Sequence, residues 1–226
     1  MQQAKVWSAL GLLVASTLAH AGVSSNITLT SDYDYRGISQ SARDPALQAS
    51  LSYTDEKNGW YVGAWGSNVD FGDNTDFEVD FYTGFSGKTD AGMNWNAGII
   101  YYSYDEHRYN FPEVYAQVGY SYFTGKFSYT YDYGGNSTPG HVQAVNLALD
   151  AAVPLYKQLA ATAHVGRSDG ESNFTGYTDW SAGLSYKLQK FYLALRYVDT
   201  DLPNTHSDVF NANARVVFTV ATSLPW

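Results

Sequence analysis

Through most of the chain apolar and polar residues alternate one by one, the period of an extended strand whose successive side chains point to opposite faces. In NITLTSDYDYRGISQS, residues 26–41, the odd positions hold Ile27, Leu29, Ser31, Tyr33 and Tyr35, and the even ones Thr28, Thr30, Asp32, Asp34 and Arg36. One face is apolar and the other is charged. The same alternation returns at 47–54, 76–85, 93–101, 114–122, 127–133, 180–188, 191–197 and 210–226. Three further segments, 59–70, 141–152 and 157–168, are apolar and strand-like, although small residues blur their phase. Together these runs predict twelve strands and an all-β fold.

A chain of 226 residues suits one domain of the size that all-β barrels reach. A net charge of -9 and the lack of any basic run exclude nucleic acid as a partner, because both chains would repel. With no Cys there is no disulfide framework and no Cys-rich metal site, and nothing in the sequence calls for a metal or a cofactor. Residues 1–21 read as a removable signal peptide for Sec-type export: Lys5, the apolar run VWSALGLLVASTLA, then Ala-His-Ala as the cleavage site. The apolar run is shorter than the roughly 20 residues that a helix needs to span a bilayer. The mature chain is then 22–226, and nothing later is long and apolar enough for a membrane helix.

The links between runs alternate in length. Longer polar ones (RGISQSARDP, DEHRYNFP, GGNSTPG, GRSDGESNFTG, DTDLPNTHS) take turns with tight ones (DEKNG, GKTDAG, FTGK, PLYKQ, LQK), and only DFGDNT is short for its side. An even number of antiparallel strands with short turns at one end and longer loops at the other is the plan of transmembrane up-and-down barrels of Gram-negative outer membranes. Both termini then face the periplasm. Aromatic residues mark both ends, as two interfacial girdles require. At the long-loop end stand Tyr33, Tyr35, Phe77, Tyr101, Tyr131, Tyr133, Tyr197 and Phe210; at the other stand Tyr53, Phe85, Trp95, Tyr120, Tyr122, Phe127, Tyr186, Phe191 and Trp226. A soluble β-sandwich alternates equally well, but it is disfavoured because no run reads as buried on both faces. Trp226 ends the chain in phase with Leu224, Val220 and Phe218, as substrates of the outer-membrane barrel assembly machinery commonly do.

Several stretches, SDYDYRGISQS, DPALQASLSY, GWYVGAWGSNVDF and FEVDFYTGFSG, together with the later DWSAGLSYKL and LALRYVDTD, resemble the TorF family of porin-like exported proteins. The specific part is the first half, where Ser31, Asp32, Tyr33, Arg36, Gly37, Ser39, Gln40, Gln48, Gly63, Ser67 and Asn68 match the family pattern, while 134–175 do not. The resemblance implies an outer-membrane barrel with a pore role, and supplies neither a substrate nor a catalytic residue.

The alternation is then explained by lipid outside and water inside. Ile27, Leu29, Tyr33 and Tyr35 are expected to face lipid, since a charge on that face costs about 2–4 kcal/mol near the midplane. The candidates for the lumen and its constriction are Asp32, Asp34, Arg36, Glu78, Asp80, Arg196 and Arg215. Over the clean strands the inward phase holds Asp32, Asp34, Asp76, Glu78, Asp80, Glu113, Asp132 and Asp179 against Arg36, Lys126, Lys187, Arg196 and Arg215, an acidic excess. These charges either pair across strands and brace the wall or form a cation-favouring constriction. The expected function is passive diffusion of small hydrophilic solutes or ions, with weak cation preference. The alternative is a non-conducting receptor or structural barrel. A barrel hydrolase is less favoured: His107, His141 and His206 lie in loops, His164 lies in a strand, and no Ser stands in a G-x-S-x-G context. Asp199, Asp201 and Asp208 lack the ligand order and Gly of a calcium loop.

Overall fold

The computed structural model describes residues 22–137, 141–171, 174–203 and 211–224, so the expected signal peptide, Phe210, His206, Asp208 and Trp226 lie outside the described residues. Fourteen strands follow in order: β1 (Val23–Thr30), β2 (Asp34–Tyr35), β3 (Ile38–Ser39), β4 (Ala46–Thr54), β5 (Trp60–Asn68), β6 (Phe77–Lys88), β7 (Asn94–Tyr102), β8 (Phe111–Tyr120), β9 (Phe123–Thr130), β10 (Ala144–Tyr156), β11 (Leu159–Gly170), β12 (Tyr177–Leu188), β13 (Phe191–Thr200) and β14 (Arg215–Leu224). Twelve of them, β1 and β4 to β14, close into one antiparallel barrel in chain order, with β1 paired to β14 at the seam. β2 and β3 form a separate two-stranded hairpin.

Alternation sorts the barrel's two surfaces. Leu29, Leu47, Phe81, Val118, Leu184 and Leu195 are exposed on the outside, whereas Thr30, Glu78, Glu113, Asn146 and Asp179 are buried on the inside. The blurred segments do form strands, and the reason for their blur is visible. In β5 the inward residues Tyr61 and Trp65 are aromatic, so both faces read as apolar. In β10 and β11 alanine stands on either side. Tight turns join the strands at the end that carries Val23 and Leu224. Three of them place Ser121, Lys157 and Gln189 in the left-handed region, at φ 55°, 48° and 54°, which suits two-residue hairpins whose twist matches that of the strands.

One strand ends early. The alternation carries β1 on to Tyr35, with Tyr33 and Tyr35 facing outward; instead β1 stops at Thr30 and residues 32–41 turn into the lumen, with 43–45 exposed where the chain returns to the wall. Tyr33 is buried against Trp65, their ring centroids 5.3 Å apart, and the Tyr35 hydroxyl donates to that of Tyr102 at 3.2 Å. Both leave the outer aromatic band. Tyr133 leaves it too, packing between Phe111 and Phe174, each at 5.3 Å. Phe77, Tyr101, Tyr131 and Tyr197 remain exposed at that end. The last strand also starts late, at Arg215, because Ala212 is buried in a cluster with Tyr177 and Leu202.

Candidate functional site: a lumen crossed by a hairpin

The inward segment is held by charge. From β14, Arg215 donates to Asp32 through Nε, to Asp34 Oδ1 through Nη2 at 2.7 Å and to the Gly37 carbonyl through Nη1 at 2.9 Å. On β13, Arg196 adds a contact to Asp34 Oδ2 at 3.5 Å. Asp32 also accepts from the hydroxyls of Ser39 and Ser41, at 2.5 and 3.3 Å. At the hairpin's far side, Arg36 pairs with Glu113 of β8 at 2.7 Å and lies over the Tyr35 ring, 4.8 Å from its centroid. β14 and β8 stand six places apart in a ring of twelve. The hairpin therefore spans the lumen from one wall to the opposite one.

The tip demands a special residue. Gly37 has φ +80°, and a Cβ there would collide with Thr200 Cγ2 and sit 2.7 Å from Asp179 Cβ. Only glycine combines that backbone with that approach.

Two chambers result. Below the hairpin lies a cavity of about 140 Å³ lined by Gln48, Trp65, Asp80, Lys126 and Arg196 among others. Towards the long loops lies one of about 460 Å³, walled by Phe71, Tyr104, Tyr109, Phe111, Phe174 and Tyr177. Tyr35 belongs to both. The outer aromatics brace one another; Phe71 meets Tyr104 and Tyr109 at 5.5 and 5.1 Å. Outside the strands, Asp73 accepts from the Tyr109 hydroxyl at 2.7 Å and pairs with Arg108. The Tyr109 hydrogen bond, with help from Thr75 and Arg108, holds the Asp73 carboxyl well below the usual carboxylate range.

Every constriction candidate read from the sequence lies inside the barrel. Asp32, Asp34, Arg36, Arg196 and Arg215 meet in the hairpin network described above. Glu78 and Asp80 on β6 stand apart, and none of the ion pairs among the described residues reaches either. Three other charges of that phase lie at the barrel's ends. Asp76 is exposed beside Asp105, Asp132 pairs with His141 at 2.9 Å, and Lys187 is exposed near a turn. Sequence reasoning missed a further cluster. His164 of β11 contacts Asp150 of β10 through Nδ1 and Asp179 of β12 through Nε2, both at 2.7 Å. The signal was present, since Asp150 is a charge inside an apolar run, and the register places it opposite His164. The inward aromatics Tyr61, Tyr82, Tyr102 and Tyr115 were missed as well, because a ring on a water-facing side breaks the two-letter code.

A closed antiparallel barrel of twelve strands, aliphatic outside and charged within, has the architecture of small porins. Among solved structures it resembles the KdgM porin (9% identity, 91% of this chain and 99% of that chain, TM-score 0.55). It resembles the NanC porin equally (9% identity, 89% and 100%, TM-score 0.56). The chain belongs to the family described as bacterial protein of unknown function (Gcw_chp), whose model matches residues 15–224. No curated protein matches it.

Proposed function

We propose that this protein is an outer-membrane channel of a Gram-negative bacterium that passes small hydrophilic solutes or ions by passive diffusion, with weak preference for cations. The observation that carries this reading is the inverted distribution of polarity. Large aliphatic and aromatic side chains cover the outside, while carboxylates and guanidinium groups are buried within. In water such an outer surface would be an extensive apolar patch of a kind soluble monomers do not carry. In lipid it is the expected band, with the outer-membrane lipid as one partner and the barrel assembly machinery as the other. The porin fold of the similar structures and the TorF resemblance support the same reading.

Cation preference follows from an inventory of the lumen. Asp32, Asp34, Glu78, Asp80, Glu113, Asp150 and Asp179 face Arg36, Lys126, Arg196, Arg215 and His164. Asp32 and Asp34 are neutralised by arginine, so the preference rests on Glu78 and Asp80. Catalysis is not part of the proposal: both ring nitrogens of His164 are engaged by carboxylates, which leaves neither free to take a proton from a serine. A second reading, a non-conducting receptor or structural barrel, is favoured by the hairpin that crosses the lumen.

Purified protein in a planar bilayer should give small, ohmic conductance steps. In a potassium chloride gradient the reversal potential should shift towards that of potassium. A complete absence of conductance would favour the receptor reading. For orientation, a tag inserted in GGNSTPG (134–140) should be reached by protease on intact cells, and one in the turn at Ser121 and Tyr122, which the structure places just before the FTGK read as the link from the sequence, should be shielded. The reverse pattern would invert the topology.

A further inference from the structure

We propose that Glu78 and Asp80 form a binding site for a hard, oxygen-seeking cation in the barrel wall between the two chambers. The inference goes beyond conduction and does not depend on it. Residues 78 and 80 are two apart on β6, so both side chains leave the same face of the strand. Glu78 is 1% exposed and Asp80 2%. Glu78 Oε1 accepts from the Tyr104 hydroxyl at 2.9 Å. Glu78 Oε2 and Asp80 Oδ1, both buried, have no hydrogen-bond partner. An unpartnered buried carboxylate oxygen is costly, and here two occur on neighbouring side chains.

Lys126, which shares the lower cavity with Asp80, lies over the Tyr115 ring and pairs with neither carboxylate, and the inward arginines are engaged elsewhere. Arg36 is on Glu113, Arg196 on Asp34, and Arg215 on Asp32 and Asp34. The side chains that reach Glu78, the Tyr104 and Tyr33 phenols and the neighbouring Asp80 carboxyl, bring no positive charge to it. A positive partner from solution completes the arrangement. Access is from the lower cavity, which Asp80 lines; on the outer side Tyr104 stands between Glu78 and the other chamber. The free donors are carboxylate oxygens, which select hard cations over soft ones. Two carboxylates, short of the six to eight oxygens calcium prefers, leave the remaining positions to cavity water, so the ion exchanges rapidly.

The test uses the full mature chain folded in detergent micelles, with terbium(III) as the probe and its luminescence excited through tyrosine. The wild type should show saturable luminescence that calcium reverses. Glu78→Gln with Asp80→Asn should lose it while keeping the barrel's heat-modifiable gel mobility. Asp73→Asn, in an outer loop, should retain it. Should the double variant not fold, Asp80→Asn alone serves the same comparison. Undiminished luminescence in the folded carboxamide variants, or none in the wild type, overturns the site and leaves the two carboxyls to share a proton. Whether the barrel conducts is read separately by the bilayer measurement, while its cation preference, which rests on the same two carboxylates, shares the fate of this site.

Discussion

Replacing Arg215 by Ala should raise the single-channel conductance severalfold, because that one side chain holds the hairpin across the lumen. Its guanidinium serves Asp32, Asp34 and the Gly37 carbonyl together. Removing it leaves Arg196, at 3.5 Å from Asp34, as the nearest compensating charge. Stripping a buried pair of one partner costs about 3–5 kcal/mol, and the segment can recover much of that by moving its aspartates into the water of the outer chamber. Arg215→Lys keeps the charge but cannot reach three acceptors in one plane, so an intermediate and noisier conductance is expected. Conductance equal to that of the wild type in both variants would mean that residues 32–41 are not the constriction.

Leu195→Arg should severely impair folding into lipid vesicles, whereas Val216→Arg should be nearly tolerated. Both side chains are exposed on the outer face. Leu195 lies mid-strand opposite Leu184, while Val216 lies next to Tyr197 in the outer aromatic band. An arginine on the lipid face costs about 2–4 kcal/mol at the midplane and about 0–1 kcal/mol near an interface. Denaturant titration of the two variants in vesicles reads the difference directly. Equal and small effects would remove lipid as the solvent of this surface.

Both outcomes depend on features that the sequence exposes unevenly. Nine of the twelve strands are legible because each keeps its own period, and the inward phase of Glu78, Asp80, Arg196 and Arg215 follows from it. The hairpin is not legible. Ser31 to Tyr35 continue the alternation without a break, and what pulls them from the ladder is a guanidinium 183 residues away. Local periodicity carries no information about such a partner. The same holds for His164, whose carboxylates come from the strands on either side and are joined only by register. β5 illustrates the converse difficulty, since Tyr61 and Trp65 pack against the lumen cluster and so erase the contrast between its faces.

The seam between β1 and β14 has its own consequence. It pairs six residues, Ser25 to Thr30, with Thr219 to Leu224, whereas β10 and β11 share twelve register pairs. Every other junction joins strands consecutive in the barrel, so the seam alone requires the two ends of the chain to meet, the step with the greatest loop-closure cost and the last to form. Among the described residues it is the shortest ladder of the barrel, and it is the natural place for the ring to unzip. Arg215 lies at the outer end of β14, and Asp32 and Asp34 follow directly on β1, so their ion pairs cross that junction from inside. The arginine that holds the hairpin is thus also the clasp of the cylinder, and loosening it should let the first and last strands separate before any other pair.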